Sequence, residues 1–160
     1  MEMVGRWSPP GWVRVWICSA SRAGDGWLWA ALAIPILWLG DSRRYDAIAV
    51  LALSSASGIC CFLGLKRLIS RPRPCTIAPV GWLQLEPPDR FSFPSGHSIT
   101  AFAITVPLSM FYPAFWTGLM FCAVSVAFSR IALGLHFMSD VVIGACMGAG
   151  IGYTAYTLFV

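Results

Sequence analysis

Residues 91–129 contain no Asp, Glu, Lys or Arg, and three further runs, residues 26–40, 47–65 and 141–160, are equally free of charge. A helix needs about 20 consecutive apolar residues to cross a bilayer. Only 11% of the residues are charged, against about 25% in a typical soluble domain, so a fold in water cannot cover the apolar surface of these runs. The pattern predicts an integral membrane protein and excludes a disordered chain, a coiled coil or an ordinary cytosolic enzyme.

The longest charge-free run is too long for one helix, and Pro113 marks a break after two aromatic residues. Aromatic residues suit the membrane interface, and proline suits the first turn of a new helix. The break gives spans over residues 98–112 and 114–129, which makes five spanning helices in all. The predicted fold class is therefore all-α, a polytopic membrane helix bundle.

The N-terminal segment, residues 1–25, has a different pattern. Arg14 interrupts its apolar part, which is too short to span a membrane, while Trp12 and Trp16 fall on one face of a helix. We expect a helix that lies in the plane of the membrane interface. With this segment included, residues 1–160 are predicted to form a single membrane-embedded domain.

When the predicted spans are followed across the bilayer, the functional polar residues collect on one side, here named side X, and the opposite face is side Y. The second span ends on side X, the third leaves it, the fourth returns to it and the fifth leaves it again. Side X therefore carries the only Lys and both His of the chain. The polar residues gathered there are Lys66, Arg73, His97, Arg130, His136 and Asp140.

These residue types suit phosphate chemistry. Arg binds phosphate oxygens through paired donors and Lys binds them as a point charge, and the side holds three such cations, Lys66, Arg73 and Arg130. Ser95 and Gly96 stand where the third span begins, and a helix N-terminus with a closely approaching backbone binds anions. Of the two histidines, one can attack phosphorus while the other protonates the leaving oxygen.

Asp140 follows His136 by four residues, so on a helix the two side chains share a face and the carboxylate can fix the imidazole tautomer. Each residue alone also has an ordinary explanation. Basic residues beside a span commonly anchor it at the interface, a His–Asp pair can be a local ion pair, and Pro-Ser-Gly can be a simple turn. Their convergence on one side of the membrane favours a functional site.

Three sequence clusters carry these residues: KRLISRPRP, FPSGHS and SRIALGLHFMSD. They contain K-x6-R-P, P-S-G-H and S-R-x5-H-x3-D, and in this order they resemble the three motifs of the type 2 phosphatidic acid phosphatase superfamily. The resemblance covers residues 66–140. Residues 21–29, SRAGDGWLW, are also similar to a stretch often found before the first core helix of such proteins.

The resemblance implies a membrane lipid phosphatase of a minimal bacterial type, with five spans where the family commonly has six. By position, His136 would be the nucleophile that forms a phosphohistidine, Asp140 would orient it, and His97 would protonate the leaving group. The remaining motif residues would bind the phosphoryl oxygens: Lys66, Arg73, Ser95, Gly96 and Arg130. Residues 66–96 would form the active-site loop, and neither a metal nor another cofactor is expected.

The apolar chain favours a lipid phosphate or diphosphate as substrate, of the phosphatidic acid, phosphatidylglycerophosphate or undecaprenyl diphosphate type, or a lipid A phosphate. The expected partners are this lipid and the bilayer, and nucleic acid is excluded because the basic residues follow no polar face. Residues 75–92 are expected to dip into the interface as a lid, through Trp82, Leu83 and Leu85. Arg71 and Arg90 are further candidates for headgroup contacts.

Membrane orientation is predicted in two opposite ways. All basic residues except Arg43 and Arg44 lie on side X, so the positive-inside rule places that side in the cytoplasm. The resemblance points to the periplasm or exterior, and several of the basic residues are reserved for catalysis. We therefore expect a bacterial inner-membrane protein with its active site facing the periplasm or exterior.

Two other functional classes fit part of the pattern. A haem protein using His97 and His136 as axial ligands leaves the positions of the cations unexplained. A non-catalytic lipid-phosphate binding or transport protein on the same fold has no need of intact His97, His136 and Asp140. The sequence favours the phosphatase over both.

Overall fold

The computed structural model describes residues 9–77 and 89–160, and regular secondary structure in these ranges is helical. The predicted all-α fold is therefore confirmed. The α-helices in chain order are α1 (Gly11–Ala23), α2 (Trp27–Leu39), α3 (Arg44–Ile69), α4 (Pro74–Ile77), α5 (Gly96–Phe111), α6 (Trp116–Ala132) and α7 (Met138–Phe159), with a 3-10 turn (Pro113–Phe115) before α6.

The five predicted spans correspond to α2, α3, α5, α6 and α7, but their lengths differ. Among the described residues, three helical stretches are long and apolar enough to cross a membrane: Arg44–Ile69, Pro113–Ala132 and Met138–Phe159. The other two, Trp27–Leu39 and Gly96–Phe111, are apolar but shorter. At 1.5 Å per residue, the 16 residues of α5 extend about 24 Å, less than the hydrocarbon thickness of about 30 Å.

Helix α5 is surrounded by other helices, which explains why it need not match the bilayer in length. It packs against α3, α6 and α7, and most of its residues are buried. The apolar core of the bundle lies along it, with Ile104, Leu108 and Phe111 packed against residues of α2, α3, α6 and α7. This central helix begins with Gly96 and His97, two of the predicted site residues.

Helices α5 and α7 approach so closely that glycine is required between them. A Cβ at Gly148 would lie 2.2 Å from the carbonyl oxygen of Ile99, and a Cβ at Gly144 would lie 2.9 Å from that of Ser95. Glycines spaced four residues apart let helix backbones meet in this way in membrane proteins. The contact places the start of α5 beside the start of α7, where the Ser95 amide donates to the carbonyl of Asp140 at 3.1 Å.

Helix α1 is the amphipathic helix expected for the N-terminal segment. It packs on α6, with Ile17 and Ser21 buried and the ring of Trp16 stacked on Phe128 at a centroid distance of 5.8 Å. Its outer face exposes Trp12 and other apolar side chains, as an interfacial helix requires. Residues 1–8 of the segment lie outside the described residues.

Candidate active site

The structure brings all eight predicted site residues to one end of the bundle. Lys66 lies in the last turn of α3 and Arg73 in the segment that follows it, while Arg130 lies in the last turn of α6. His136 stands in the loop between α6 and α7, and Asp140 in the first turn of α7. All five of these side chains are buried. Buried charges are retained only where partners compensate them.

A short loop turns His136 into this end of the bundle. Gly134 adopts a left-handed conformation with φ of 66°, as residues that end helices commonly do. The amides of Leu135 and His136 both donate to the carbonyl of Arg130, at 3.0 and 3.1 Å. The amide of Cys75 donates to the Gly134 carbonyl at 3.0 Å, which attaches the segment after Arg73 to the same loop.

The two ring nitrogens of His136 have partners that define its tautomer. Nδ1 lies 2.6 Å from the carbonyl oxygen of Ser92 and Nε2 lies 3.1 Å from Nη1 of Arg73. A carbonyl only accepts and a guanidinium only donates, so the proton is on Nδ1 and the lone pair is on Nε2. Burial, and after it the charges of Arg73 and Arg130, lowers the pKa of His136 far below its usual value of 6.5. The ring is a neutral imidazole.

Ser92 reaches His136 because its segment pairs with the residues after α3. The Ser92 amide donates to the carbonyl of Arg71 at 2.8 Å, and an isolated antiparallel bridge joins Pro72 to Phe91. The Ser92 hydroxyl donates to the Pro72 carbonyl at 3.1 Å. Spacing along the chain gives no sign of this pairing, and the sequence analysis missed Ser92.

Asp140 does not make the hydrogen bond to His136 that a triad implies. Its Oδ2 lies 3.9 Å from Nδ1 of His136, beyond hydrogen-bond distance. The carboxylate instead accepts the amide of Phe137 at 2.9 Å and Nη1 of Arg71 at 2.7 Å. Arg71 is therefore drawn into the site as the partner of Asp140, while Arg90 is exposed.

His97 has an acidic partner that the sequence analysis did not identify. Its Nε2 lies 2.8 Å from Oδ1 of Asp25, in the turn between α1 and α2. The same turn packs closely on the ring, since a Cβ at Gly24 would lie 2.8 Å from Cδ2 of His97. Ser21, in the last turn of α1, accepts Nη1 of Arg130 at 2.5 Å. Both residues belong to the stretch SRAGDGWLW. The sequence analysis noted the similarity of this stretch to related proteins but assigned it no function.

A second acidic residue that was missed, Asp89, lies between two of the cations. Its carboxylate accepts Nζ of Lys66 and, at 2.8 Å, Nη2 of Arg73. Burial raises the pKa of Asp89, but the hydrogen bonds from these two cations outweigh it and hold the pKa below 3.8. Asp89 is thus a carboxylate anion inside the expected phosphate site.

Some of the remaining hydrogen-bond donors in the site already have acceptors and others do not. Ser95 already has partners, because its amide donates to the backbone carbonyl of Asp140 and its hydroxyl accepts from the Ser98 hydroxyl. Gly96 and His97 supply the first amides of α5, which have no acceptors within a helix. Nε of Arg130 is buried and has no hydrogen-bond partner among the described residues. Trp82, Leu83 and Leu85 of the expected lid lie outside the described residues.

A sequence model of the PAP2 superfamily matches residues 47–160, which is more than half of the chain and contains all three sequence clusters. The chain belongs to the PAP2 superfamily. The resemblance found in the sequence is thereby confirmed. Ser21 and Asp25, which contact Arg130 and His97, lie outside the range that the PAP2 model matches.

Individual relatives in sequence differ in the substrates that their names give. A lipid A 1-phosphatase of Rhizobium johnstonii is 30% identical over 123 residues, covering 74% of this chain and 47% of the relative. A decaprenylphosphoryl-5-phosphoribose phosphatase of Mycobacterium tuberculosis is 34% identical over 130 residues, covering 79% of this chain and 68% of the relative. The chain thus spans about half the length of the lipid A 1-phosphatase.

Among solved structures, LpxE of Aquifex aeolicus superposes with a TM-score of 0.80 at 24% sequence identity, covering 97% of this chain and 91% of that one. A likeness at this identity shows the fold. The fold shared with LpxE therefore extends over nearly the whole chain.

Proposed function

We propose that this protein is an integral membrane lipid phosphatase, which hydrolyses a phosphomonoester or diphosphate of a lipid through a phosphohistidine at His136. The observation that carries the proposal is the state of His136. Its Nδ1 proton is bound by the Ser92 carbonyl and its Nε2 lone pair faces Arg73. A neutral imidazole that carries its lone pair on Nε2, beside fixed cations, is what attack on a phosphate anion needs.

In the first step, Nε2 of His136 forms a bond to phosphorus while the bond from phosphorus to the lipid oxygen breaks. The leaving oxygen takes a proton from His97, and the negative charge on the transferring group is neutralised by Lys66, Arg73 and Arg130. The imidazole ring becomes cationic because Nδ1 keeps its proton. The carboxylate of Asp140, 3.9 Å away, stabilises that positive charge.

In the second step, water attacks phosphorus and the bond to Nε2 breaks. His97, now neutral, accepts a proton from the water, which restores its acid form and leaves inorganic phosphate. Asp25 positions His97 throughout, because its Oδ1 lies 2.8 Å from Nε2 and fixes the orientation of the ring. Since α1 and its following turn supply Ser21 and Asp25, we propose that residues 1–160 act as one unit.

The proposed substrate is a lipid because of the protein's surroundings and its relatives. The site lies at one end of a membrane bundle, beside the exposed apolar face of α1. The PAP2 relatives named above are phosphatases of lipid A and of a decaprenyl-linked phosphate. We propose no single lipid among the phosphatidic acid, phosphatidylglycerophosphate and undecaprenyl diphosphate types.

We also propose that the site faces the periplasm or exterior from a bacterial inner membrane. The positive-inside rule counts loop charges, and four basic residues of side X are engaged within the site instead. They are Lys66, Arg71, Arg73 and Arg130. A fluorescent protein fused after Val160, on side Y, should then fluoresce from the cytoplasm. A fusion exported to the periplasm would contradict this orientation.

The experiment that tests the activity is phosphate release by the detergent-purified protein, with a chelator present, from a panel of lipid monophosphates and diphosphates. His136→Gln is the control, since it keeps the size of the side chain and removes the nucleophile. We expect release from at least one lipid, with loss in the variant. Binding of these lipids without turnover by the wild-type protein would contradict the proposal and favour a non-catalytic PAP2 protein.

A further inference from the structure

We infer that Asp89 is an internal anion that occupies the phosphate position on Lys66 and Arg73 and is displaced when a phosphate binds. The inference rests on the proposed function, because it concerns the same cations. In this inference Asp89 competes with phosphate for the two cations. The affinity of the site for phosphate then depends on the exchange of one anion for the other.

Arg73 has few donors to spare while Asp89 is in place. Its Nε donates to the backbone carbonyl of Asp89 at 2.8 Å and its Nη2 donates to the carboxylate at 2.8 Å. Its Nη1 contacts the carbonyl of Leu135 at 2.8 Å and Nε2 of His136 at 3.1 Å. A guanidinium has five N–H groups, so these contacts leave one N–H on Nη2.

A phosphate attacked by His136 must come close to the same groups. Reacting atoms lie about 3–3.5 Å apart before bond formation, which puts the phosphate oxygens beside Nη1 and Nη2 of Arg73. Of these groups, Nη2 of Arg73 already donates to the Asp89 carboxylate, which also accepts Nζ of Lys66. The carboxylate and a phosphate cannot both bind these donors tightly, because the two negative charges repel each other at such distances.

The carboxylate is the most exposed of the three charged groups, although its Oδ1 also accepts the amide of Phe91 at 3.1 Å. The side chain of Arg73 is only 1% exposed and that of Lys66 is 11% exposed, whereas that of Asp89 is 39% exposed. A rotation about the side-chain bonds of Asp89 carries its carboxylate to water, where its solvation offsets the lost ion pairs. The backbone contacts of Asp89 with Arg73 and of Ser92 with Arg71 need not change.

Two consequences follow for the reaction. Substrate binding is weakened, since each binding event breaks the contacts of the Asp89 carboxylate with Lys66, Arg73 and the amide of Phe91. Release of inorganic phosphate is assisted, because Asp89 returns to the same cations as the product leaves. Before substrate arrives, the carboxylate keeps two buried cations paired and so avoids the cost of unpaired buried charge.

The test compares Asp89→Asn with wild type and with Asp46→Asn, a matched removal of an exposed acidic charge at the far end of α3. Titration calorimetry with inorganic phosphate, on each purified protein in detergent, gives the dissociation constant. We expect Asp89→Asn to bind phosphate about threefold to tenfold more tightly, and Asp46→Asn to match wild type. Unchanged or weaker binding in Asp89→Asn, or no phosphate binding in any of the three, would overturn the inference.

A second measurement covers the case in which Asp89→Asn does not fold. Wild-type protein is labelled with ¹³C at the aspartate carboxyls, and the Asp89 resonance is identified by its absence from Asp89→Glu. Addition of inorganic phosphate should shift this resonance as the carboxylate leaves the cations. A resonance that stays in place while phosphate binds would show that Asp89 is a fixed part of the site.

These measurements report binding and are independent of turnover, so they separate the two proposals. Tighter phosphate binding by Asp89→Asn, in a protein that hydrolyses no lipid phosphate, would remove the proposed function and leave the exchange standing. Lipid hydrolysis by wild type, with no gain of phosphate affinity in Asp89→Asn, would remove the exchange alone. Where hydrolysis is observed, KM should fall together with the dissociation constant for phosphate.

Discussion

At the scale of single residues, His136 takes its tautomer from the Ser92 carbonyl, at 2.6 Å, and Asp140 acts on it only through charge. Asp140→Asn should therefore reduce kcat by about tenfold to a hundredfold, the range expected for one charge near 4 Å. Kinetics on a lipid phosphate, with thermal unfolding as the control for folding, measure this. A loss near ten-thousandfold, as in a true triad, would show that Asp140 holds Nδ1 in the working enzyme.

The lowered pKa of His136 makes the stability of the protein depend on pH. As the pH falls below about 6.5, the unfolded chain takes up a proton at this residue while the native ring stays neutral. The free energy of unfolding then falls, by at most about 1.4 kcal/mol for each pH unit. Thermal unfolding between pH 7 and pH 5 should show this loss, and His136→Gln should lose less. Equal pH dependence in both proteins would contradict the neutral buried state.

At the scale of elements, the turn between α1 and α2 positions the acid. Asp25→Asn should lower kcat about tenfold to a hundredfold for a lipid alkyl phosphate, whose leaving oxygen needs a proton. The kcat for a nitrophenyl phosphate should fall much less, because its leaving group is a stable nitrophenolate anion. Asp41→Asn, another exposed acidic residue in a turn, is the control. Equal losses on both substrates would make Asp25 a structural residue.

The contact between α5 and α7 holds the start of α5, which carries His97, beside the start of α7. Gly148→Ala places a Cβ 2.2 Å from the Ile99 carbonyl, whereas Gly150 has open space around it. We expect Gly148→Ala to lower the melting temperature, with an overpacking cost of about 1–3 kcal/mol, and to reduce activity. Gly150→Ala should be neutral in both assays. Similar behaviour of the two variants would mean that this helix contact is not critical.

At the scale of the whole molecule, the sequence analysis predicted the helices and the end of the bundle where the motif residues gather. Charge-free runs locate membrane helices because the hydrocarbon excludes charge. The analysis failed where side chains meet across loops. Asp25 reaches His97 only because α1 packs on α6, and Ser92 reaches His136 only because residues 91–92 pair with residues 71–72.

The expected pairing of His136 with Asp140 shows the physical limit of a spacing argument. The four-residue rule applies to two residues on one helix, but His136 precedes α7, which begins at Met138. The carboxylate therefore caps the helix start through the Phe137 amide and does not face Nδ1. Asp89 was missed for a related reason, because its ion pairs join segments more than 15 residues apart.

The most direct test of the central claim is to trap the phosphorylated enzyme. Wild-type protein, mixed with a lipid carrying ³²P in its terminal phosphate and quenched in alkali, should retain label on one peptide, with the phosphoryl group on His136. His136→Gln should retain none and should release no phosphate. Label on another residue, or normal phosphate release by His136→Gln, would contradict the account.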